Sequence, residues 1–139
     1  MSFEEKGTWL YAVIAVALPV IYFATILGQL PNTTVTEIDY QGLLLAAIGA
    51  TIALAIVGMI VIGMASPRDA GKADQRDKEI NRLGEYVGGI VLAIGMVVPL
   101  GLALAEAPHF WIANAMYLMF SLAALVGTTV KLFLYRRGF

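Results

Sequence analysis

Four apolar stretches of roughly 20 residues, at 8–27, 42–64, 83–104 and 111–133, leave this chain few ways to fold. An α-helix rises about 1.5 Å per residue, so each stretch is long enough to cross a bilayer core of about 30 Å. None of them alternates polar and apolar residues with the period of two that a membrane-barrel strand requires. Composition points the same way: 60% of the 139 residues are hydrophobic and 14% are charged, against about 25% charged in a soluble domain. The expected fold is an all-α membrane protein, one membrane domain over residues 1–139. Its four transmembrane helices are expected at about 8–28, 41–65, 74–105 and 110–135, in an up-down-up-down bundle.

Charge is concentrated between the second and third stretches. Residues 66–82 (SPRDAGKADQRDKEINR) carry Arg68, Asp69, Lys72, Asp74, Arg76, Asp77, Lys78, Glu79 and Arg82. Arg136 and Arg137 follow the last stretch, whereas residues 30–39 and 105–110 contain no Lys or Arg. The positive-inside rule therefore predicts a cytoplasmic connector and cytoplasmic termini, N-in and C-in. The net charge of −1 singles out no partner. Cysteine is absent, which excludes disulfides and thiolate metal sites. The N-terminal MSFEEKGTW carries an acidic pair and reads as a short polar lead to the first helix, not as a cleavable signal.

Along the first helix Thr8, Ala12, Ala15, Pro19 and Tyr22 share a face. Pro19 removes the donor to the Ala15 carbonyl, so this face is expected to lie against protein; a ligand face is the alternative. Trp9 and Tyr11 suit the membrane interface. In the outer loop Pro31-Asn32 is turn chemistry, Asn32-Thr33-Thr34 is a sequon of no consequence outside a secretory pathway, and Glu37 and Asp39 read as solvated charges. On the second helix Gly42, Ala46, Gly49 and Ala53 form a small-xxx-small face suited to close packing. That helix is expected to stop at Ser66-Pro67. Asp74 then looks like the N-cap of the third helix, which starts about two turns before the bilayer.

The second half carries two stripes. Glu85, Gly88, Leu92, Gly95, Pro99, Leu102 and Glu106 recur in steps of three and four, as do Asn114, Tyr117, Ser121, Ala124, Thr128 and Lys131. Pairing the two as antiparallel neighbours sets Glu85 beside Lys131, Gly88 beside Thr128, Gly95 beside Ser121 and Pro99 beside Tyr117. In this register Ser121 donates to the Gly95 carbonyl that Pro99 orphans, and Met119 points elsewhere. The stripes read as hairpin glue; a polar path through an oligomer is the alternative. No carboxylate lies deep in any stretch, which argues against a proton-coupled exporter. His109 and Glu106 supply two metal ligands at most, so no metal site and no cofactor are expected. The basic residues are too mixed with acids to suggest nucleic acid.

In the connector Asp74, Asp77, Asn81 and Glu85 fall on one helical face, which suits a divalent cation or a partner's arginine. The simpler reading is a solvated helix end with Asp74–Lys78 and Glu79–Arg82 pairs and basic groups on anionic lipid. Residues 4–9 (EEKGTW), 74–89, 109–114 (HFWIAN) and 135–139 (YRRGF) resemble small four-helix bacterial membrane proteins of uncharacterised activity. The Asp74-x-Arg76-Asp77 pattern is the most specific part of that likeness. The resemblance implies a bacterial inner-membrane location and work alongside other components, with no catalytic residue to carry over. The expected function is a non-enzymatic regulator or accessory subunit that presents Asp74, Arg76, Asp77, Arg82, Arg136 and Arg137 to a cytoplasmic or membrane partner. An oligomeric small transporter or channel using the fourth-helix stripe is the alternative. Self-association, a dimer by default, fits the glycine-rich faces.

Overall fold

The computed structural model describes residues 1–138, so Phe139 of the C-terminal YRRGF lies outside it. Helix α1 spans Phe3–Leu27, α2 Gln41–Ala65, α3 Gln75–Gly95, α4 Val97–Leu104 and α5 His109–Arg137, with a single 3-10 turn at Val35–Glu37 before α2. No strand occurs among the described residues. Four helical units are long and apolar enough to cross a membrane: α1, α2, α3 with α4, and α5.

The chain alternates direction at each loop. Ser2, Asp77 and Tyr135 meet at one end, which brings together the starts of α1 and α3 and the finish of α5. At the opposite end Tyr22 reaches Asn114, and Tyr40 packs on Phe110. We call these the connector end and the hairpin end. Laterally the order is α2, α1, α5, α3: α5 lies between α1 and the α3–α4 pair, and α2 packs chiefly on α1. No residue of α2 is buried.

The exterior is apolar, and many contacts between helices are small or polar, beside a cluster of large side chains at the hairpin end. Val20, Ile21, Leu45, Ile56, Ile60, Ile94 and Leu104 are exposed, while Gly7, Thr8, Gly84, Asn114, Gly127 and Thr128 are buried. Between helices in lipid, hiding leucine from leucine gains nothing, and close approach and hydrogen bonds are what hold such helices together.

Several boundaries differ from those expected. Helix α1 begins at Phe3, within the polar lead and ahead of the start expected at about residue 8. The Ser2 hydroxyl accepts the Glu5 N–H at 3.1 Å, and Glu4 and Glu5 sit at the positive end of the dipole. The third apolar unit is broken at Met96 instead of running unbroken over 74–105. Pro99 has no N–H to give the Gly95 carbonyl, and its ring crowds that turn. The ladder resumes with Leu100 N–H on Met96 O at 3.1 Å. Pro19, by contrast, leaves α1 continuous. The small face of α2 meets no other helix of the chain: Gly42, Ala46, Gly49 and Ala53 are all exposed, and a Cβ at Gly42 or Gly49 would find nothing within 4 Å. It is Gly58 of α2 that packs closely, against Leu10.

Candidate functional site

The charged connector folds into a clasp at the connector end. Asp74 caps α3, its Oδ1 accepting the Asp77 N–H at 2.7 Å. Asp77 answers in kind, its Oδ2 accepting the Asp74 N–H at 3.1 Å, so the pair forms a reciprocal capping box. The other oxygen, Oδ1, accepts the Ser2 hydroxyl at 3.2 Å and the Tyr135 hydroxyl at 2.9 Å. Asp77 is only 4% exposed. One carboxylate thus ties the starts of α1 and α3 to the end of α5.

Neighbouring contacts reinforce the clasp. Arg76 donates to the Leu134 and Tyr135 carbonyls at 3.4 and 3.2 Å in the last turn of α5, where Leu134 also accepts the Gly138 N–H. Asn81 donates to Glu4 at 3.2 Å, and Lys6 to the Ser66 hydroxyl at 2.6 Å. The Arg136 guanidinium lies 5.2 Å from the centre of the Trp9 ring, and that of Arg137 5.0 Å from Phe133.

These contacts revise the connector expectations residue by residue. Asp77 is not displayed to a partner, since its oxygens are enclosed and occupied by three donors. Asp74 and Arg76 stay accessible but are engaged within the chain as caps. Arg82, Arg136 and Arg137 remain exposed. The Asp74–Lys78 and Glu79–Arg82 ion pairs do not form, and Glu79 instead accepts from Gln75 at 3.1 Å. The acidic face has its side chains committed as well: Asn81 to Glu4, and Glu85 to Lys131.

The contact between α3 and α5 is closer and differently registered than the stripes suggest. Glu85 and Lys131 pair at 2.5 Å, the one ion pair among the described residues. Gly88, however, faces Ala123 and Gly127 rather than Thr128, and Gly84 faces Gly127 and the Lys131 side chain. Gly95 faces Met119, whose atoms lie as near as 2.7 Å to where a Cβ would stand. Met119 therefore occupies the place assigned to Ser121. The Ser121 hydroxyl bonds the Tyr117 carbonyl of its own helix at 2.8 Å, and Thr128 likewise bonds Ala124. A hydroxyl with a carbonyl one turn back on its own helix needs no partner across the interface. Tyr117 packs on Tyr22 and Phe23 of α1 instead of on the buried Pro99. The residues that set the approach, Gly84, Ala123 and Gly127, went unread although Gly84-xxx-Gly88 and Ala123-xxx-Gly127 are both small-xxx-small motifs. Ser2 and Tyr135 offered no local signal at all.

Below the clasp, α1 and α3 both rest on α5 but scarcely touch each other, which leaves a cavity of about 550 Å³. Its rim is Glu4, Asn81, Glu85 and Lys131; its walls include Thr8, Gly88, Gly89, Ala124 and Thr128; Leu92, Phe120 and Met59 also line it. On α3 the lining runs from Asn81 to Leu92, about 16 Å along the helix at 1.5 Å per residue, so it covers roughly half the span.

At the hairpin end Tyr22, Ile26, Ile38, Tyr40 and Phe110 form the hydrophobic core. Tyr22 donates to Asn114 Oδ1 at 2.6 Å, and Asn114 Nδ2 donates to the Phe110 carbonyl at 2.7 Å. His109 opens α5 at this end, remote from the clasp, and no group of three metal-binding side chains occurs among the described residues. Compared with family models, curated proteins and solved structures, the chain matches none.

Proposed function

We propose that this chain is a non-enzymatic integral membrane protein of the bacterial inner membrane, a regulator or accessory subunit that shows a basic face at its connector end to an acidic partner surface. One observation carries the reading: folding buries one connector acid, Asp77, and leaves the bases outside. Asp77 is buried and Asp74 is engaged as a cap, while Arg68, Lys72, Lys78 and Arg82 are exposed without ion pairs. Asp69 and Glu79 are the connector acids left free of the capping box. The clasp fixes the start of α3, so Lys78 and Arg82 are preorganised for a partner, while Arg68 and Lys72 stand on the turn between α2 and α3. The likeness of residues 74–89 to small four-helix bacterial membrane proteins supports the same reading. So does the exposed small face of α2, which suits self-association into a dimer.

The transporter alternative draws less support. Its stripe hydroxyls at Ser121 and Thr128 bond their own helix, Asn114 bonds Tyr22 and Phe110, and the cavity covers about half the span.

Two experiments test the proposal. Topology comes first: Gly71→Cys is expected to react with an impermeant thiol reagent only after the membrane is opened, and Thr34→Cys in intact cells. Labelling of Gly71→Cys from outside would reverse the orientation. For the partner face, crosslinking and capture from membranes is compared between wild type and the triple variant Arg68→Glu, Lys72→Glu, Arg82→Glu. Like charges set against a partner surface cost several kcal/mol, so capture is expected to fall at least about tenfold. Thermal unfolding should shift by less than about 1 kcal/mol, because these side chains are exposed. Undiminished capture would remove the docking role.

A further inference from the structure

The cavity between α1, α3 and α5 is graded in a way that the partner face does not explain. At one end stand two carboxylates and one ammonium, Glu4, Glu85 and Lys131, with the Asn81 amide between them. Beyond them the wall is glycine and threonine, and then apolar at Leu92 and Phe120, while Met59 stands against Gly7 nearer the charged end. Its volume of about 550 Å³ lies within the range of true ligand sites, about 300–1,000 Å³.

The position of the ion pair is also unusual. Lys131 lies six residues before α5 ends at Arg137, about 9 Å inside the helix end at 1.5 Å per residue. Its side chain is 16% exposed, whereas that of Glu85 is 77% exposed. A packing bridge would bury both members. Here the lysine is sheltered and its carboxylate partner is left open beside a cavity. Glu4 adds a second carboxylate, so the rim holds one more negative than positive group.

We propose that this cavity seats a bilayer phospholipid with a primary-amine zwitterionic head, a phosphatidylethanolamine in chemistry. The ammonium donates to Glu4 and Glu85, the phosphate lies toward Lys131, and one acyl chain runs down the glycine-lined wall to Leu92 and Phe120. Charge complementarity selects the head. An anionic head without an amine meets the two carboxylates, and a trimethylated amine has no N–H to donate to them. The lateral opening between α1 and α3 selects a bilayer lipid over a dissolved metabolite. Glycine at 89 selects a chain, because a side chain there would fill the space it occupies.

The site requires the chain to be membrane-embedded but is independent of the partner face. Loss of partner capture therefore leaves it standing, whereas recovery of the chain in the soluble fraction overturns both.

Gly89 supplies the decisive variant, since it lines the cavity and an added Cβ meets nothing within 4 Å. Gly89→Leu fills the cavity without touching the α3–α5 contact, and Ala124→Leu does so from the facing wall. The protein is reconstituted into nanodiscs holding equal parts phosphatidylethanolamine, phosphatidylglycerol and phosphatidylcholine with identical chains. Lipids retained after release are counted by native mass spectrometry. Wild type is expected to keep phosphatidylethanolamine at least tenfold over either competitor. Both filling variants are expected to lose it at least tenfold while keeping helical content and elution position, and the double variant Glu4→Gln, Glu85→Gln should erase the discrimination between heads. Retention of the three lipids in their input ratio by wild type would overturn the proposal. So would undiminished retention in whichever filling variant remains folded.

Discussion

Gly127→Val is expected to force α3 and α5 apart and to lower the unfolding midpoint in detergent sharply. A Cβ at Gly127 would stand 2.9 Å from the Gly84 carbonyl oxygen and 3.6 Å from the Gly88 Cα, and a Cβ at Gly84 would stand 2.9 Å from the Gly127 oxygen. These neighbours are backbone, so no rotamer change relieves them. Overpacking a well-packed contact costs about 1–3 kcal/mol. Here the separation also weakens the dispersion contacts that hold helices together in lipid. We expect a loss near the upper end of that range, with weaker disulfide trapping between cysteine pairs placed across α3 and α5. Gly89→Ala is the control: its Cβ is unopposed, and alanine is favoured over glycine in a helix by about 1 kcal/mol, so stability should hold or rise. Equal destabilisation by both changes would mean that the close crossing is not what holds this pair.

Asp77→Ala is the second large effect. The change leaves the Ser2 and Tyr135 hydroxyls and the Asp74 N–H without their shared acceptor in a buried place. A buried polar group left unmatched costs about 1–3 kcal/mol, and relaxation toward water at the connector end recovers part of it, so a total of about 3 kcal/mol is expected. Asp77→Asn should cost less, about 1–2 kcal/mol, because an amide oxygen still accepts while its NH2 opposes the Asp74 N–H. A double-mutant cycle with Tyr135→Phe separates the clasp from the cap: the two losses should be less than additive, since they share one hydrogen bond. If Asp77→Ala unfolds like wild type yet loses the partner, the carboxylate is a docking residue after all, and the partner face must be redrawn around it.

The connector shows how far a sequence can be taken. Asp74 as N-cap was legible because the Asp74-x-x-Asp77 spacing is local, and capping is decided within one turn. That Asp77 would be buried was not legible, because the groups that bury it lie 75 residues away at Ser2 and 58 away at Tyr135. No periodicity within one helix reports which distant ends it will meet.

The α3–α5 contact teaches the same lesson at finer scale. A stripe on each helix was readable, and Glu85 and Lys131 lie together. The contacting faces are rotated relative to the stripes because glycines, and not hydroxyls, set the approach. Ser121 and Thr128 satisfied themselves on their own helix, so they exerted no pull across the interface, and closest approach went to Gly84, Gly88, Ala123 and Gly127.

By itself the sequence determined four apolar helices of membrane length, the stop before Pro67 and the cap at Asp74. Each depends on hydrophobicity or on backbone chemistry within a few residues. Tertiary structure alone decided the lateral order α2, α1, α5, α3, the burial of Asp77 and the cavity above α5. Those outcomes depend on which faces pack closest, and in a chain apolar on nearly every face only atomic fit between helices distinguishes one neighbour from another.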